Sequence, residues 1–185
     1  MRAIPQQCFD FLADPEIENW IPHPYRDQKG LWTYGIGHLI LQGESYPLKS
    51  GYLWKIGMPD PGKGAFVDAP RSDADRVCAQ DLTKAANSVC QYTVNIDQYN
   101  DNQYSALLAL AFNIGGGAPA GSLYGPKGYA GSSMLTALNR GDLPGCFVGW
   151  AKWNKFTNPV TKALEISAGL VKRRNMEMAL YNKPL

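Results

Sequence analysis

The chain has 185 residues, a length that suits one domain or one domain in two lobes. Hydrophobic residues make up 45% of it and charged residues 18%, which is typical of a globular protein and excludes a disordered one. The formal net charge of only +2 provides no strongly basic surface, so we expect no nucleic-acid partner.

Membrane, secretory and metal-binding signals are missing from the sequence. No window contains the roughly 18 apolar residues that a membrane-spanning helix needs, so we expect no stable membrane insertion. The first residues lack a basic region followed by an apolar run, and no secretory signal is visible. The four cysteines and two histidines lack metal-ligand spacing, so we expect free thiols, no metal and no other cofactor.

The first predicted helix covers residues 5 to 19. Pro15 marks a restart within it, because proline is favoured at the first helical position, and Asp14 can cap the second part. Glu18 then lies in a short helical turn, which the following prolines prevent from continuing. Glu16 is a rival acid in the same turn, and the local pattern does not choose between the two.

A β-hairpin is predicted after this turn, because Gln28 to Gly30 form a hairpin signal. Folding the chain about Gly30 sets Asp27 opposite Thr33 on one face. Continuing by twos, that face carries two residues without side chains, which would leave a bare strip for a ligand: Gly35 and Gly37. The other face is the predicted packed side and contains Trp32, Tyr34, Ile36 and His38.

Two carboxylates beside an extended strip suit glycoside hydrolysis. One protonated acid donates a proton to the leaving oxygen, and one carboxylate acts as a nucleophile or holds a water molecule. Glu18 and Asp27, nine residues apart, are the candidates. The alternative for each is a solvated surface charge, since acidic residues are mostly exposed.

Residues 39 to 71 are predicted to form strand fragments and loops rich in glycine, proline and tyrosine. Trp54 and the tyrosines of this region either stack on sugar rings or pack into the core of a small lobe. The serine of the following SDAD sequence, Ser72, opens a capping box for an amphipathic helix over residues 73 to 90.

A nearly all-apolar helix, typical of a core centre, is capped by Asn100 or Asp101 and stops at Gly115. Asn113, which is polar at the end of this helix, must find partners or face a cavity. The basic residues 172 to 174 either contact phosphates or form a solvated helix face. Further helices are predicted at residues 132 to 139, 144 to 153 and 168 to 181.

Several motifs point to a family in combination. Glu18 is followed by Asp27, by Thr33 six residues further and by the Gly-Ile-Gly-His run that ends at His38. Further along stand QYSALLALAFNIGGG (103 to 117), SSMLTALNRGD (132 to 142), WAKWNK (150 to 155) and GLVKRRNMEMALY (169 to 181). In this order and spacing, the motifs resemble those of phage-type lysozymes, glycoside hydrolase family 24.

The resemblance implies an α+β, mainly α, lysozyme-like fold formed by a single domain over residues 1 to 185. A small β-containing lobe would cover about 18 to 71, a connecting helix 72 to 90 and a helical lobe 91 to 185, on which the N-terminal helix packs. The substrate groove would run between the lobes.

The resemblance also implies a muramidase that cleaves the β-1,4 bond between N-acetylmuramic acid and N-acetylglucosamine. Glu18 would be the general acid, and Asp27 with Thr33 would position the attacking water. Four further residues are implied in substrate binding: Leu39, Phe112, Asn113 and Ser133. For Asn113 the alternative is a capping or core hydrogen bond, and for Ser133 it is a helix cap.

The implied partner is bacterial peptidoglycan, bound by a monomer. A phage endolysin, held in the host cytoplasm before release to the cell wall, fits the missing signal. A tail-associated lysin or a secreted antibacterial lysin has the same motifs. A lytic transglycosylase, which needs only one acid, and a non-catalytic peptidoglycan-binding module are two further hypotheses.

Overall fold

The computed structural model describes residues 2 to 123 and 125 to 184. In chain order the elements are α1 (Gln6–Leu12), β1 (Ile21–Arg26), β2 (Trp32–Gly35), β3 (His38–Leu39), β4 (Ser45–Pro47), β5 (Leu53–Lys55), α2 (Arg71–Tyr92), α3 (Asp101–Ile114), α4 (Ser133–Leu138), α5 (Leu143–Ala151), β6 (Lys155–Thr157), β7 (Leu164–Ile166) and α6 (Ala168–Asn182). Helices dominate and the sheets are small and antiparallel, which confirms the predicted α+β, mainly α, class.

The chain divides into two compact units. The helical unit consists of the described residues of Met1–Leu12 and Asp81–Leu185, and the β-containing unit is Ala13–Gln80. Helix α2 begins in the β-containing unit and ends in the helical one. None of the helices in the described part of the chain is both long and apolar enough to cross a membrane.

An aromatic core holds the β-containing unit together. Strands β1, β2 and β3 form an antiparallel sheet in that order, and β4 and β5 form a separate hairpin. Trp54 of β5 is only 2% exposed, and its ring centroid lies 4.7 Å from that of Trp32 on β2. Phe66 packs edge-on against both rings. Of the two interpretations of Trp54, core packing is therefore confirmed and sugar stacking is wrong.

Helix α1 is shorter than the predicted helix over residues 5 to 19, because it ends at Leu12. Asp14 organises a separate turn, in which its carbonyl accepts from the N–H groups of Ile17 and Asn19 at 2.9 and 3.2 Å. Asn19 has a left-handed φ of 59°, which ends the turn. Glu18 therefore lies in a turn, because a competing local hydrogen-bond pattern replaces the second helical segment.

Helix α2 begins at Arg71, so the predicted cap at Ser72 is wrong. The carbonyl of Pro70 accepts from the Asp73 N–H at 3.1 Å, which satisfies a donor of the first turn without the serine. Asp75 does not complete a capping box, and its carboxylate instead pairs with the Arg71 guanidinium at 2.7 Å.

The helical unit is built around α3, whose residues from Tyr104 to Ala111 are all buried. Asn100 is its cap, and it forms a reciprocal capping box with Gln103, as the sequence allowed. The Cys8 thiol on α1 contacts the carbonyl of Ser105 on α3 at 3.8 Å. All four cysteines are free, as predicted: Cys8, Cys78, Cys90 and Cys146.

A buried charge cluster joins α6 to its neighbours. Glu177 is completely buried and binds Arg173 and Arg174 at 2.9 and 2.8 Å. Its second oxygen accepts from the Trp150 indole N–H at 2.8 Å. For the two arginines, phosphate contact and a solvated helix face, the two interpretations of the basic residues 172 to 174, are thus both wrong. Lys172, in contrast, is exposed. Spacings of three and four residues put both arginines on the same helix face as Glu177.

His38 is expected to stabilise the β-containing unit. Its buried imidazole Nε2 lies 3.0 Å from the Glu44 carboxylate, which also accepts from the Leu41 N–H at 2.9 Å. We expect His38→Asn to cost about 1 to 3 kcal/mol, since it removes a buried hydrogen bond to a charged group. Thermal unfolding followed by circular dichroism measures this loss.

The matched control is His23→Asn, which changes the exposed pair with Asp68 at 2.8 Å. That variant should melt within about 2 °C of the wild type, because exposed ion pairs contribute little. Equal melting temperatures for the two histidine variants would contradict a structural role for His38.

Candidate active site

The carboxylate of Asp27 shapes the hairpin between β1 and β2. Its Oδ1 accepts from the backbone N–H groups of Lys29 and Leu31 at 2.9 and 2.8 Å. The Asp27 N–H in turn donates to the Leu31 carbonyl at 2.9 Å. The hairpin therefore closes between Asp27 and Leu31, and Asp27 organises its own loop.

This closure changes the predicted register. Thr33 lies opposite Tyr25, so the prediction that it lies opposite Asp27 is wrong by two residues. The reason is the turn that the Asp27 side chain forms, which centres the loop on Lys29 and not on Gly30. Residues two apart on a strand share a face, so Asp27 and Thr33 remain diagonal neighbours on one side of the hairpin.

The predicted glycine strip is not a bare surface. A Cβ at Gly35 would lie 2.9 Å from the Cβ of Ala74, so helix α2 occupies that space. A Cβ at Gly37 would lie 2.7 Å from Oε2 of Glu18. Both glycines have a positive φ, near 63° and 67°, because the chain leaves β2 in a tight turn. The absence of a side chain at Gly37 therefore makes room for the Glu18 carboxyl group.

Thr33 and Leu39 are neighbours across the β2–β3 pair. Thr33 is 6% exposed, and its hydroxyl donates to the Leu31 carbonyl at 3.3 Å. The oxygen of that hydroxyl keeps its lone pairs for accepting a further hydrogen bond. Leu39 is 46% exposed and presents an apolar side chain beside it.

Tyr25 is a further candidate site residue, which the sequence interpretation did not include. It is the partner of Thr33 across the β1–β2 pair. Burial raises the pKa of its phenol to about 12, and the negative charges of Glu18 and then Asp27 contribute in the same direction. Its side chain lies on the face of the hairpin that carries Thr33 and Asp27, because residues opposite each other or two apart share a face. The sequence feature that could have identified it is its position two residues before Asp27.

The other three predicted substrate-binding residues lie in the helical unit. Asn113 Oδ1 accepts from Arg174 at 3.0 Å, which is the core hydrogen bond offered as its alternative role. Phe112 precedes it and is partly buried. Ser133 is exposed and is the first residue of α4, while Ser132 is the cap. The interpretation of Ser133 as a cap is therefore wrong, because the Leu135 N–H bonds to Ser132 Oγ at 3.1 Å.

Within residues 2 to 123 and 125 to 184, no group of three or more histidine, cysteine, aspartate or glutamate side chains is arranged to hold a metal ion.

Comparison with solved structures defines the class of protein. The chain resembles the muramidase domain of SpmX from Asticaccaulis excentricus, with a TM-score of 0.69, 19% identity and 100% of both chains covered. It also resembles the endolysin from Escherichia coli O157:H7 phage FAHEc1, with a TM-score of 0.69, 22% identity and coverage of 98% of this chain and 94% of that one. The fold is thus lysozyme-like, as predicted.

Sequence comparison defines the family. The sequence profile of the phage lysozyme family matches residues 15–177. The chain is also 36% identical over 157 residues to the endolysin of Acyrthosiphon pisum secondary endosymbiont phage 1, covering 85% of this chain and 84% of that endolysin. The protein therefore belongs to the phage lysozyme family, a family of peptidoglycan hydrolases, and the resemblance found in the sequence is confirmed.

Proposed function

We propose that this protein is a muramidase that hydrolyses the β-1,4 bond between N-acetylmuramic acid and N-acetylglucosamine. The observation that carries the proposal is the grouping of Glu18, Asp27 and Thr33 in one small unit, together with membership of the phage lysozyme family. Two carboxyl groups supply the acid and the base or nucleophile that glycoside hydrolysis requires.

In the proposed reaction, Glu18 donates a proton to the glycosidic oxygen as the bond to the leaving sugar breaks. Asp27 Oδ1 already accepts two backbone hydrogen bonds, so Oδ2 is the oxygen that would hold the attacking water. Thr33 would accept a second hydrogen bond from the same water. Asp27 takes the proton that the water loses when it attacks the anomeric carbon from the opposite side of the sugar.

This use of water predicts an inverted product. Inverting enzymes hold their carboxyl groups about 6.5 to 9.5 Å apart, which leaves room for a water, whereas a separation near 5 Å suits a covalent intermediate with retention. The test is digestion of purified peptidoglycan, with analysis of the product anomer by NMR and of the released fragments by mass spectrometry.

We expect Asp27→Asn to hydrolyse peptidoglycan at least about a hundredfold more slowly than the wild type, because the amide cannot take the proton from water. The Asp27 turn is retained, since asparagine also forms such turns. Turbidity assays on purified cell walls measure the rate. Asp60→Asn, an exposed acid of the same unit, is the control and should keep wild-type activity.

The product analysis also separates the competing functions. A lytic transglycosylase forms a 1,6-anhydro ring without an attacking water, so anhydro products from the wild type would contradict the hydrolytic proposal. A non-catalytic peptidoglycan-binding module would release no fragments. If Asp27→Asn kept full activity, Asp27 would have no role in the reaction, although the protein would still be a hydrolase.

Four residues are proposed to bind the glycan or its peptide. Leu39 is exposed beside Thr33 in the β-containing unit. Phe112, Asn113 and Ser133 belong to the helical unit, where Ser133 is exposed. We propose apolar contact for Leu39 and Phe112 and hydrogen bonding for Asn113 and Ser133. The bond from Arg174 orients the Asn113 amide, so its N–H groups are the ones that would meet the substrate.

The biological role proposed is that of a phage endolysin, supported by the relative that bears this name. A single lysozyme-like domain over residues 1 to 185 would act as a monomer on peptidoglycan. It would remain in the host cytoplasm until it is released to the cell wall. A tail-associated lysin and a secreted antibacterial lysin are the competing roles.

A further inference from the structure

The proposed reaction requires opposite protonation states of the two carboxyl groups. Glu18 must carry a proton and Asp27 must be ionised at the same pH, although a covering sugar removes bulk water from both and leaves Asp27 only the attacking water. Loss of water favours the neutral form of a carboxyl group. A donor to its Oδ2, besides the two backbone N–H groups that already bind its Oδ1, would favour the ionised form of Asp27.

Tyr25 is placed to supply that donor. It lies on β1, two residues before Asp27, which follows the end of that strand. Across the sheet it pairs with Thr33 of β2. These positions put its ring on the face that carries Asp27 and Thr33. The side chain is only partly buried, so its hydroxyl can be reached by a group that approaches it.

We propose that Tyr25 is a positioning residue, whose hydroxyl donates to Oδ2 of Asp27 in the substrate complex, beside the attacking water, and keeps that carboxylate ionised and oriented. This inference rests on the proposed function of Glu18 and Asp27. A hydrogen bond to an ionised oxygen is about twice as strong as one to a neutral group. The phenol is therefore drawn to ionised Asp27 and not to protonated Glu18.

The phenol itself does not lose its proton in the working range. Burial, with the charges of Glu18 and Asp27, raises its pKa to about 12. Below that pH Tyr25 remains a neutral donor, so it cannot act as a base. Any change in the pH dependence of the reaction on removing the hydroxyl must therefore come from the ionisation of Glu18 or Asp27.

Other charged groups near Tyr25 are unchanged by this substitution. Thr33, which faces it from β2, is neutral. A cavity of about 340 Å³ that Tyr25 helps to line also brings six titratable side chains to this region, namely His23, Arg26, Lys49, Asp60, Lys63 and Asp68. Their charges remain in place in a variant that lacks only the hydroxyl, so they contribute equally to both pH profiles.

The test is Tyr25→Phe, compared with the wild type in pH profiles of kcat and KM on soluble peptidoglycan fragments. We expect kcat at the optimum to fall about tenfold and the acidic limb of the kcat profile to move up by about one pH unit, with KM within about twofold. The direction follows because loss of a donor makes the ionised carboxylate harder to form, so activity disappears at a higher pH.

The control is Tyr34→Phe, which removes the hydroxyl of a buried tyrosine that packs on the opposite face against Tyr46. This variant should leave the acidic and the basic limb of the kcat profile unchanged. An unchanged acidic limb in Tyr25→Phe would overturn the inference, even if kcat fell. A shift of the basic limb alone would also overturn it, because the hydroxyl would then serve Glu18.

Glu18→Gln separates this inference from the function on which it rests. If Glu18→Gln keeps wild-type activity, the assignment of the two carboxyl groups fails and the role of Tyr25 fails with it. If Glu18→Gln is inactive while Tyr25→Phe has the wild-type pH profile, only the role of Tyr25 fails.

Discussion

Replacing Glu18 by glutamine is expected to slow peptidoglycan hydrolysis by about a thousandfold or more while the protein remains folded. Glutamine has nearly the same shape as glutamate, and the space at Gly37 that admits the carboxyl group also admits the carboxamide. The amide cannot donate a proton to the leaving oxygen, and general acid catalysis contributes about a hundredfold to ten-thousandfold. Clearing of purified cell walls measures the loss, and thermal unfolding verifies the fold.

The turn itself provides a matched control. Glu16 lies two residues away, is exposed, and was the rival acid in the sequence. Glu16→Gln removes the same charge from the same turn and should keep wild-type activity. If Glu18→Gln retains near-normal activity, or if the two variants lose activity equally, Glu18 is not the general acid.

Replacing Glu177 by glutamine is expected to produce the largest loss of stability among these substitutions. Glu177 is completely buried and its carboxylate is paired with both Arg173 and Arg174, which are also buried. Removing one member of a buried ion cluster leaves uncompensated charge and costs about 3 to 5 kcal/mol. For a protein of this size that corresponds to a fall of roughly 6 to 20 °C in the melting temperature, measured by circular dichroism.

An exposed ion pair provides the contrast. The pair between Arg71 and Asp75 has an N–O distance of 2.7 Å, and about half of each side chain is exposed. Asp75→Asn should change the free energy of unfolding by less than about 1 kcal/mol, because solvent already screens this pair. A similar loss in Asp75→Asn and Glu177→Gln would contradict a special role for the buried cluster.

Features set by neighbours along the chain could be predicted from the sequence. Helix α3 and its Asn100 cap are set by apolar residues all around the helix and by a local capping box. The free thiols follow from cysteine spacing. The family follows from the spacing of Glu18, Asp27 and Thr33 and from the motifs after them, as the family match over residues 15–177 confirms.

Tertiary structure decided where several interactions compete. In the hairpin the competition is local: the Asp27 carboxylate accepts from backbone N–H groups of its own turn, and the resulting register pairs Thr33 with Tyr25 and not with Asp27. Helix α2 filled the space beside Gly35, which a strand pattern alone leaves open.

The sequence by itself determined the family, through its motifs, and the fold class, through that resemblance, and it supplied the candidate acids through residue type and spacing. Only the tertiary structure decided that two arginines of a basic run are buried around Glu177 and that Tyr25 is the cross-strand partner of Thr33. Charge in a sequence does not reveal burial, because burial depends on which residues distant in the chain supply the partner and exclude the water.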